Sequence, residues 1–152
     1  MTVSLRIAAA VDRPLVLPML TAFCAEQMSH AEDGADATRT AALDRLLDGL
    51  PAATLYLIGP PKSPVGYMLI AFGFDLSAGG VTATIGELYI RAAVRGRGMG
   101  SDAVATLAHA LHGHGVCALH MEASDANPRA KVFCRRLGFD ERTDTKLLTR
   151  TL

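Results

Sequence analysis

The sequence predicts a single domain over residues 1–152 with a mixed α/β (α+β) fold. Three short β-rich runs between residues 54 and 90 are separated by turns rich in glycine and proline, which is the pattern of an antiparallel meander. A glycine-rich turn then joins the third run to a helix-like run, and another β-rich run follows. This strand–turn–helix–strand order predicts a parallel, right-handed unit. We therefore expect a sheet that is antiparallel in its first part and parallel at one central pair.

Composition limits the classes of partner. Lysine plus arginine and aspartate plus glutamate each number 15, so the net charge of zero favours neither nucleic acid nor an anionic membrane. No apolar run is long enough to span a bilayer, and the N-terminus lacks the pattern of a signal peptide. The cysteines Cys24, Cys117 and Cys134 are widely spaced and form no Cys-x-x-Cys pair. They predict reduced thiols in a cytoplasmic protein, with no metal site.

The first third of the chain predicts a strand followed by two helices. The strand is expected over residues 3–9. Asp12 is the expected N-cap of the first helix, which Pro18 should kink or delay. The second helix is predicted over residues 39–50, where leucines repeat at helical spacing.

The later elements lie between clear turn residues. Strands are predicted at residues 54–58, 65–74, 82–90 and 116–123. A helix should follow the glycine-rich turn and end near Gly113. A second helix should begin at Asn127-Pro128, with asparagine as N-cap and proline at the first helical position, and end at Gly138. Residues 139–152 alternate in polarity and predict a closing pair of strands.

The glycine-rich turn carries the clearest chemical signal. It reads Arg95-Gly96-Arg97-Gly98-Met99-Gly100 and is placed between a strand and a helix. A helix N-terminus offers unpaired N–H groups and partial positive charge, and glycine allows close approach, so this turn predicts a phosphate site. No Lys-Ser or Lys-Thr follows, as a Walker loop requires, and the glycine spacing does not fit a dinucleotide fingerprint. A tight turn with arginines in solvent is the alternative.

Two motifs resemble those of a known family. The turn at Arg95 to Gly100 matches R/Q-x-x-G-x-G/A, the acyl-CoA motif of the GCN5-related N-acetyltransferase (GNAT) superfamily. The segment Asn127 to Phe139 is similar to that family's N-x-x-A-x-x-[FL]-Y-x-x-x-G-F, with Cys134 where tyrosine is usual. The resemblance covers residues 82–139, and the first third matches only in pattern. It implies the N-acetyltransferase fold, with a splayed parallel strand pair at its centre.

The resemblance also implies acetyl-CoA as co-substrate. Main-chain groups at the end of the strand would bond the pantetheine arm, at Leu88, Tyr89 and Ile90. Main-chain N–H groups of the turn would hold the pyrophosphate, from Arg95, Gly96, Arg97, Gly98, Met99, Gly100 and Ser101. Three residues of the later segment would lie along the coenzyme near its sulfur, namely Asn127, Phe133 and Cys134. The alternative for Asn127 is a plain helix cap, that for Phe133 is core packing, and that for Cys134 is a small buried side chain.

The implied chemistry is direct attack of an amine on the thioester in a ternary complex. A base must take a proton from the amine, which is mostly protonated at neutral pH. Glu87 is the candidate base or acceptor-binding residue, although Gly86 stands where some relatives carry a second acid. An exposed strand glutamate is the alternative, and a β-bulge would change the face that Glu87 takes. Water, Tyr67 or Tyr89 could replace the missing tyrosine as proton donor.

The predicted function is acetyl transfer to a primary amine of a small molecule or peptide. A loop between the first two helices carries the acids Glu32, Asp33 and Asp36. They could favour a cationic acceptor, with a solvated loop as the alternative. Other readings of the whole protein are transfer of a longer acyl group, a hydroxyl acceptor, or a non-catalytic acyl-CoA sensor. A homodimer could form, because dimers are frequent in the family.

Overall fold

The computed structural model describes residues 2–27 and 35–152 and contains one mixed sheet. Its strands are β1 (Leu5–Ile7), β2 (Ala53–Ile58), β3 (Gly66–Asp75), β4 (Gly80–Ile90) and β5 (Ala118–Met121). Its helices are α1 (Arg13–Gln27), α2 (Ala35–Leu47), α3 (Met99–Gly113) and α4 (Pro128–Arg136), with short 3-10 turns at Ala10–Asp12 and Ala92–Val94. None of the helices in this described part of the chain has the length and apolar character needed to cross a bilayer.

The five strands are ordered β1-β2-β3-β4-β5 across the sheet. Neighbouring strands from β1 to β4 are antiparallel, and β4 pairs with β5 in parallel. The predicted meander and the predicted parallel pair are confirmed. The pair lies at one edge of the sheet and not at its centre, because residues 139–152 add no strand beyond β5. The turns at Gly59 and Gly79 have positive φ, which explains why glycine separates these strands.

The chain divides into two compact units, residues 1–122 and 123–152. The first unit holds the sheet with α1, α2 and α3, and the second holds α4 and the C-terminal segment. The single domain expected over residues 1–152 stays a prediction.

The core of the first unit forms where α1 and α2 pack on one face of the sheet. Its members are buried apolar side chains from both layers, among them Val16, Met19, Leu43, Leu47, Leu55, Leu57, Tyr67 and Tyr89. Helix α3 contacts β4 and β1 and buries a stripe at helical spacing, formed by Ala103, Val104, Leu107 and Leu111. These two helical layers leave the connection from β4 to α3 at the surface.

Three expectations for the helices and the closing strands need correction. Residues 139–152 form no strand, and Leu147 and Leu148 are exposed, because no described strand pairs with this segment to give its alternation a buried face. Helix α2 begins at Ala35, so Asp36 belongs to a helix, while residues 32 and 33 lie outside the described residues. Helix α1 starts at Arg13 and continues through Pro18 without delay.

Asp12 directly precedes α1, as predicted, but it does not cap that helix. Its carboxylate accepts hydrogen bonds from the main-chain N–H of Ala9 (2.9 Å) and from the guanidinium of Arg6 (2.7 and 2.8 Å). The acid therefore joins β1 to the turn before α1, and Arg6 rather than the helix is its main partner.

A β-bulge interrupts β4 at Gly86. Leu69 pairs with Glu87, whereas Ile70 pairs with Ile85, so Gly86 is an extra residue without a partner on β3. Residues that pair directly across two strands share a face of the sheet. Glu87 therefore lies on the face of Leu69, which α1 and α2 cover, although Ile85 two positions earlier lies on the opposite face.

Candidate functional site

The connection from β4 to α3 ends in a helix N-terminus with free amides. Gly98 is the N-cap of α3 and has φ +80°. The first hydrogen bond of the helix runs from the N–H of Asp102 to the carbonyl of Gly98 (2.9 Å). The N–H groups of Met99, Gly100 and Ser101 therefore precede the helical ladder and have no carbonyl within it to bond. They lie at the positive end of the helix dipole.

Open space surrounds the glycines of this turn. Gly96 (φ +76°) and Gly98 (φ +80°) both adopt the left-handed conformation, which glycine tolerates best. No atom lies within 4 Å of the position that a Cβ would take at either residue. Arg97 between them is exposed and has no hydrogen-bond or ion-pair partner among the described residues. The turn can therefore admit an anion from solvent and supply one unengaged cation.

Arg95, in contrast, already has partners at Nε and Nη2. Its Nε donates to the carbonyl of Ile90 (2.7 Å), and its Nη2 contacts both carboxylate oxygens of Glu26 (2.8 and 2.9 Å). The guanidinium carbon also lies 5.4 Å from the centre of the Tyr89 ring, within the range of a cation–π contact. Arg95 thus ties the turn to the end of β4 and to the last turn of α1.

The end of β4 has an open edge next to this turn. Parallel pairing with β5 covers Thr82 to Ile85, so residues 86–90 of β4 have no strand partner on that side among the described residues. On its other side the N–H of Arg91 donates to the carbonyl of Val65 (2.8 Å). Because main-chain groups alternate in direction along an antiparallel pair, those of Leu88 and Ile90 point away from β3, toward the open edge. Those of Tyr89 point toward β3, so Tyr89, which was expected to bond the pantetheine arm, offers no main-chain group to this edge. The carbonyl of Ile90 is the one that Arg95 already occupies.

Glu87 lies in a partly buried polar cluster beside this edge. Its carboxylate accepts hydrogen bonds from the hydroxyl of Tyr67 (2.8 Å) and from Nη2 of Arg39 (2.9 and 3.2 Å), and its side chain is 15% exposed. An exposed strand glutamate, the alternative kept above, is therefore wrong for this position. Burial, and then the Glu87 charge, raise the pKa of Tyr67 far above its usual range, so its phenol stays protonated.

Aromatic contacts connect this cluster with Arg95. The rings of Tyr67 and Tyr89 stack with centroids 5.8 Å apart, and Phe23 of α1 meets Tyr67 edge-on at 6.3 Å. Arg39 in turn lies over the Phe23 ring at 5.8 Å, and its Nε is buried without a hydrogen-bond partner among the described residues. The three rings form a contact series, with Arg39 at the Phe23 end and Arg95 at the Tyr89 end.

Sequence reasoning missed Arg39 and Glu26. Arg39 lies 48 residues before Glu87, and Glu26 lies 69 residues before Arg95. No local motif marks either residue, since each acquires its partner only through the packing of α1 and α2 on the sheet. The one available signal was a charged side chain in a helix that otherwise supplies core residues.

The residues predicted on α4 lie in the second unit. Asn127 caps this helix through a hydrogen bond from the N–H of Ala130 to its Oδ1 (3.2 Å), which confirms its role as a cap. Phe133 is half-buried and lines a shallow cavity of about 330 Å³ on the face of α4. Cys134 is 8% exposed, and burial raises the pKa of its thiol. Contacts of these three residues with a coenzyme stay predictions.

No metal centre is evident in the ranges that the structure describes. Residues 2–27 and 35–152 contain no group of three or more His, Cys, Asp or Glu side chains arranged to hold a metal ion.

Comparison of the sequence with models of protein families gives a match that agrees with this fold. Residues 22–139 match the model of the Acetyltransferase (GNAT) family. The chain belongs to this family of acyl-transferring enzymes, whose members generally use acetyl-CoA. No curated protein sequence matches the chain.

Solved structures share the fold over nearly the full length. An integron cassette protein from the mobile metagenome of Cole Harbour Salt Marsh is 27% identical, with a TM-score of 0.78 over 97% of this chain and 90% of that one. A candidate acetyltransferase from Arthrobacter sp. FB24 is 26% identical, with a TM-score of 0.76 over 98% and 96%. A possible acetyltransferase from Clostridium difficile 630 is 12% identical, with a TM-score of 0.86 over 100% and 99%, and supports the fold alone.

Proposed function

We propose that the protein is an acetyl-CoA-dependent N-acetyltransferase that acts on a primary amine of a small molecule or peptide. The observation that carries this proposal is the free helix N-terminus at Met99 to Ser101, reached through left-handed glycines and adjacent to an unpaired strand edge. A diphosphate and an extended amide-containing arm are the ligand chemistry that such a pair of features fits.

On the donor side, the chain itself supplies the binding groups. The amides of Met99, Gly100 and Ser101 would hold the pyrophosphate, with Arg97 as the nearby free cation. The main-chain groups of Leu88 and the N–H of Ile90 would bond the pantetheine arm as an added strand. Acetyl-CoA, when bound, supplies the thioester that the amine attacks.

On the acceptor side, Glu87 is the assigned carboxylate. Glu87 directly precedes Leu88, whose main-chain groups point to the open edge, and the guanidinium of Arg39 already balances the charge of Glu87. We assign it to accept one proton from the amine, directly or through a water molecule. Arg39 and Tyr67 hold the carboxylate in place, so they are positioning residues for this step.

No dedicated acid is assigned to the departing thiolate. A thiol of ordinary pKa, about 8.5, leaves readily as the C–S bond breaks. The second amine proton can then reach the thiolate through solvent. Cys134, at the position where the family usually has tyrosine, is buried and is not required by this scheme.

The experiment that tests the donor site uses two matched glycines. Coenzyme A should raise the melting temperature of the wild type, because a ligand of the folded state stabilises it. Gly98→Glu should remove that shift by placing bulk and negative charge against the phosphates. Gly115→Glu is the control, since Gly115 has nearly the same φ (+82°) and equally open surroundings but lies past the other end of α3.

Both glutamate variants should lose a similar amount of stability, about 1 to 2 kcal/mol for a left-handed non-glycine residue. Only Gly98→Glu should lose the response to coenzyme A. An undiminished shift in Gly98→Glu would contradict the proposed site.

A second experiment separates the enzyme from an acyl-CoA sensor. Thiol release from acetyl-CoA is measured with polyamines, amino acids, aminoglycosides and peptide N-termini, and longer acyl-CoA donors are run in parallel. Release with at least one amine supports the transferase. Silence across the panel, with coenzyme A binding intact, would favour the sensor.

A further inference from the structure

The ion pair between Arg95 and Glu26 indicates how the phosphate turn, the proposed phosphate-binding turn at residues 95–100, is held in place. Arg95 is the first residue of the turn motif, where a cation next to phosphate would be the simple expectation. Yet its Nε and Nη2 already bond the carbonyl of Ile90 and the carboxylate of Glu26. The geometry points to Arg95 as a positioning residue: it fixes the turn between β4 and α1 and does not itself bind the phosphates.

The electrostatics of Glu26 support this assignment. Glu26 lies in the last turn of α1, where the helix dipole is negative and an acidic side chain is unfavourable. A guanidinium at 2.8 Å compensates that charge. Without it, a bare carboxylate would remain beside a turn that has to accept an anion. The pair therefore also removes a repulsive charge from the donor site.

Exposure shows that this pair serves position more than stability. The side chains of Arg95 and Glu26 are 43% and 40% exposed. Exposed pairs contribute little to the free energy of unfolding. A guanidinium, however, can bridge a carbonyl, a carboxylate and an aromatic ring at once, which a lysine ammonium cannot. The shape of the side chain, and not its charge alone, is thus what the turn uses.

The test compares Arg95→Lys, Glu26→Gln and the double variant by calorimetric titration with coenzyme A. Arg95→Lys keeps the charge but loses the bridge, so the dissociation constant should rise about five- to tenfold. Glu26→Gln should weaken binding by a similar factor. Because the two residues act as one unit, the double variant should be no more than about twofold weaker than either single variant.

Two controls sharpen the result. Arg91→Lys changes an arginine whose Nε also donates to a carbonyl, that of Pro64 (3.0 Å), but which has no acidic partner among the described residues, and it should bind coenzyme A like the wild type. Pantetheine, which lacks the diphosphate, should bind wild type and Arg95→Lys equally. Unequal binding of pantetheine would contradict a role that is confined to the phosphate turn.

This inference rests on the proposed coenzyme A site, and the two can fail separately. Wild-type affinity in Arg95→Lys would mean that coenzyme A binding does not need the guanidinium bridge, and tighter binding by Glu26→Gln would mean that a released Arg95 contacts phosphate. Either result would overturn the inference alone. A wild-type protein that does not bind coenzyme A would overturn the proposed function and this inference with it.

Discussion

The hydroxyl of Tyr67 donates a 2.8 Å hydrogen bond to the carboxylate of Glu87, and Nη2 of Arg39 contacts both oxygens of the same carboxylate. Both oxygens of the proposed proton acceptor are therefore held by the protein before any substrate arrives. Such fixed partners keep a catalytic group in one orientation and reduce the reorganisation that the reaction requires.

Removing the Tyr67 hydroxyl should therefore cost stability. In Tyr67→Phe the ring stack remains, but the carboxylate loses one donor, so we expect the free energy of unfolding to fall by about 1 to 2 kcal/mol. Urea denaturation measures this change. Tyr56→Phe is the control, because the Tyr56 hydroxyl bonds no described residue, and a loss equal to that of Tyr67→Phe would contradict the role of the hydroxyl.

Acid should weaken the contact between Asp12 and Arg6. The guanidinium of Arg6 holds the pKa of Asp12 below its usual range, and the Ala9 N–H adds to the effect against the cost of burial. Because the folded-state pKa is the lower one, the stabilisation is complete above the unfolded value of about 4 and is lost as the pH falls through the folded value. Asp12→Asn should destabilise the protein by about 1 to 2 kcal/mol at neutral pH.

The difference between wild type and Asp12→Asn should shrink as the pH is lowered below about 4, as followed by thermal melting in a pH series. Asp144→Asn is the control, because Asp144 is exposed and has no hydrogen-bond or ion-pair partner among the described residues. A gap that stays constant down to the acid limit would show that Asp12 does not contribute through its charge.

Gly66 allows β3 and β4 to approach closely. A Cβ built at Gly66 would collide with the carbonyl of Tyr89 and come within 2.9 Å of the Ile90 side chain. Gly66→Ala should therefore lower stability by about 3 kcal/mol, the upper range for overpacking. At Gly113, the last residue of α3, a Cβ meets no atom within 4 Å, so Gly113→Ala should raise stability by about 0.5 kcal/mol. Calorimetry gives the melting temperature of each variant. Equal melting temperatures would contradict the close approach of β3 and β4 at Gly66.

The cysteines should react with iodoacetamide in order of exposure. Cys117 is exposed, whereas Cys134 is buried and burial raises the pKa of its thiol. Since only the accessible thiolate reacts, Cys117 should be alkylated first and Cys134 only after addition of denaturant. Peptide mass spectrometry over time gives the rates. Equal rates in the native protein would contradict the buried position of Cys134.

Local sequence signals predicted the meander, the glycine turn and the α4 cap because each depends on residues that are neighbours in the chain. Glycine at positive φ marked the turns, and Asn127-Pro128 marked a helix start. The closing strands failed because alternation alone does not supply a partner strand. Pairing is a tertiary property, and residues 139–152 find none in the described chain.

The candidate site was predicted only in part for the same reason. The position of Glu87 along the chain was recognised, but its face depends on how β3 accommodates Gly86, which no feature of β4 alone reveals. Arg39 and Glu26 entered only through helix packing. Arg95 was expected among the phosphate contacts, and its binding partners became visible only when α1 was in place.

The bulge at Gly86 has a further consequence. It occurs where the parallel pairing of β4 with β5 stops, at Ile85, and a bulged strand bends away from its neighbours. Deleting this one glycine would leave every existing pair with β3 in register, since Leu69 and Ile70 would then face consecutive residues. The uninterrupted ladder would remove the local bend and the stronger twist that the bulge gives to β4 just before Glu87. One extra residue thus exchanges regular pairing for a bent strand end, and regularity of the sheet is lost at the position where Glu87 takes its face.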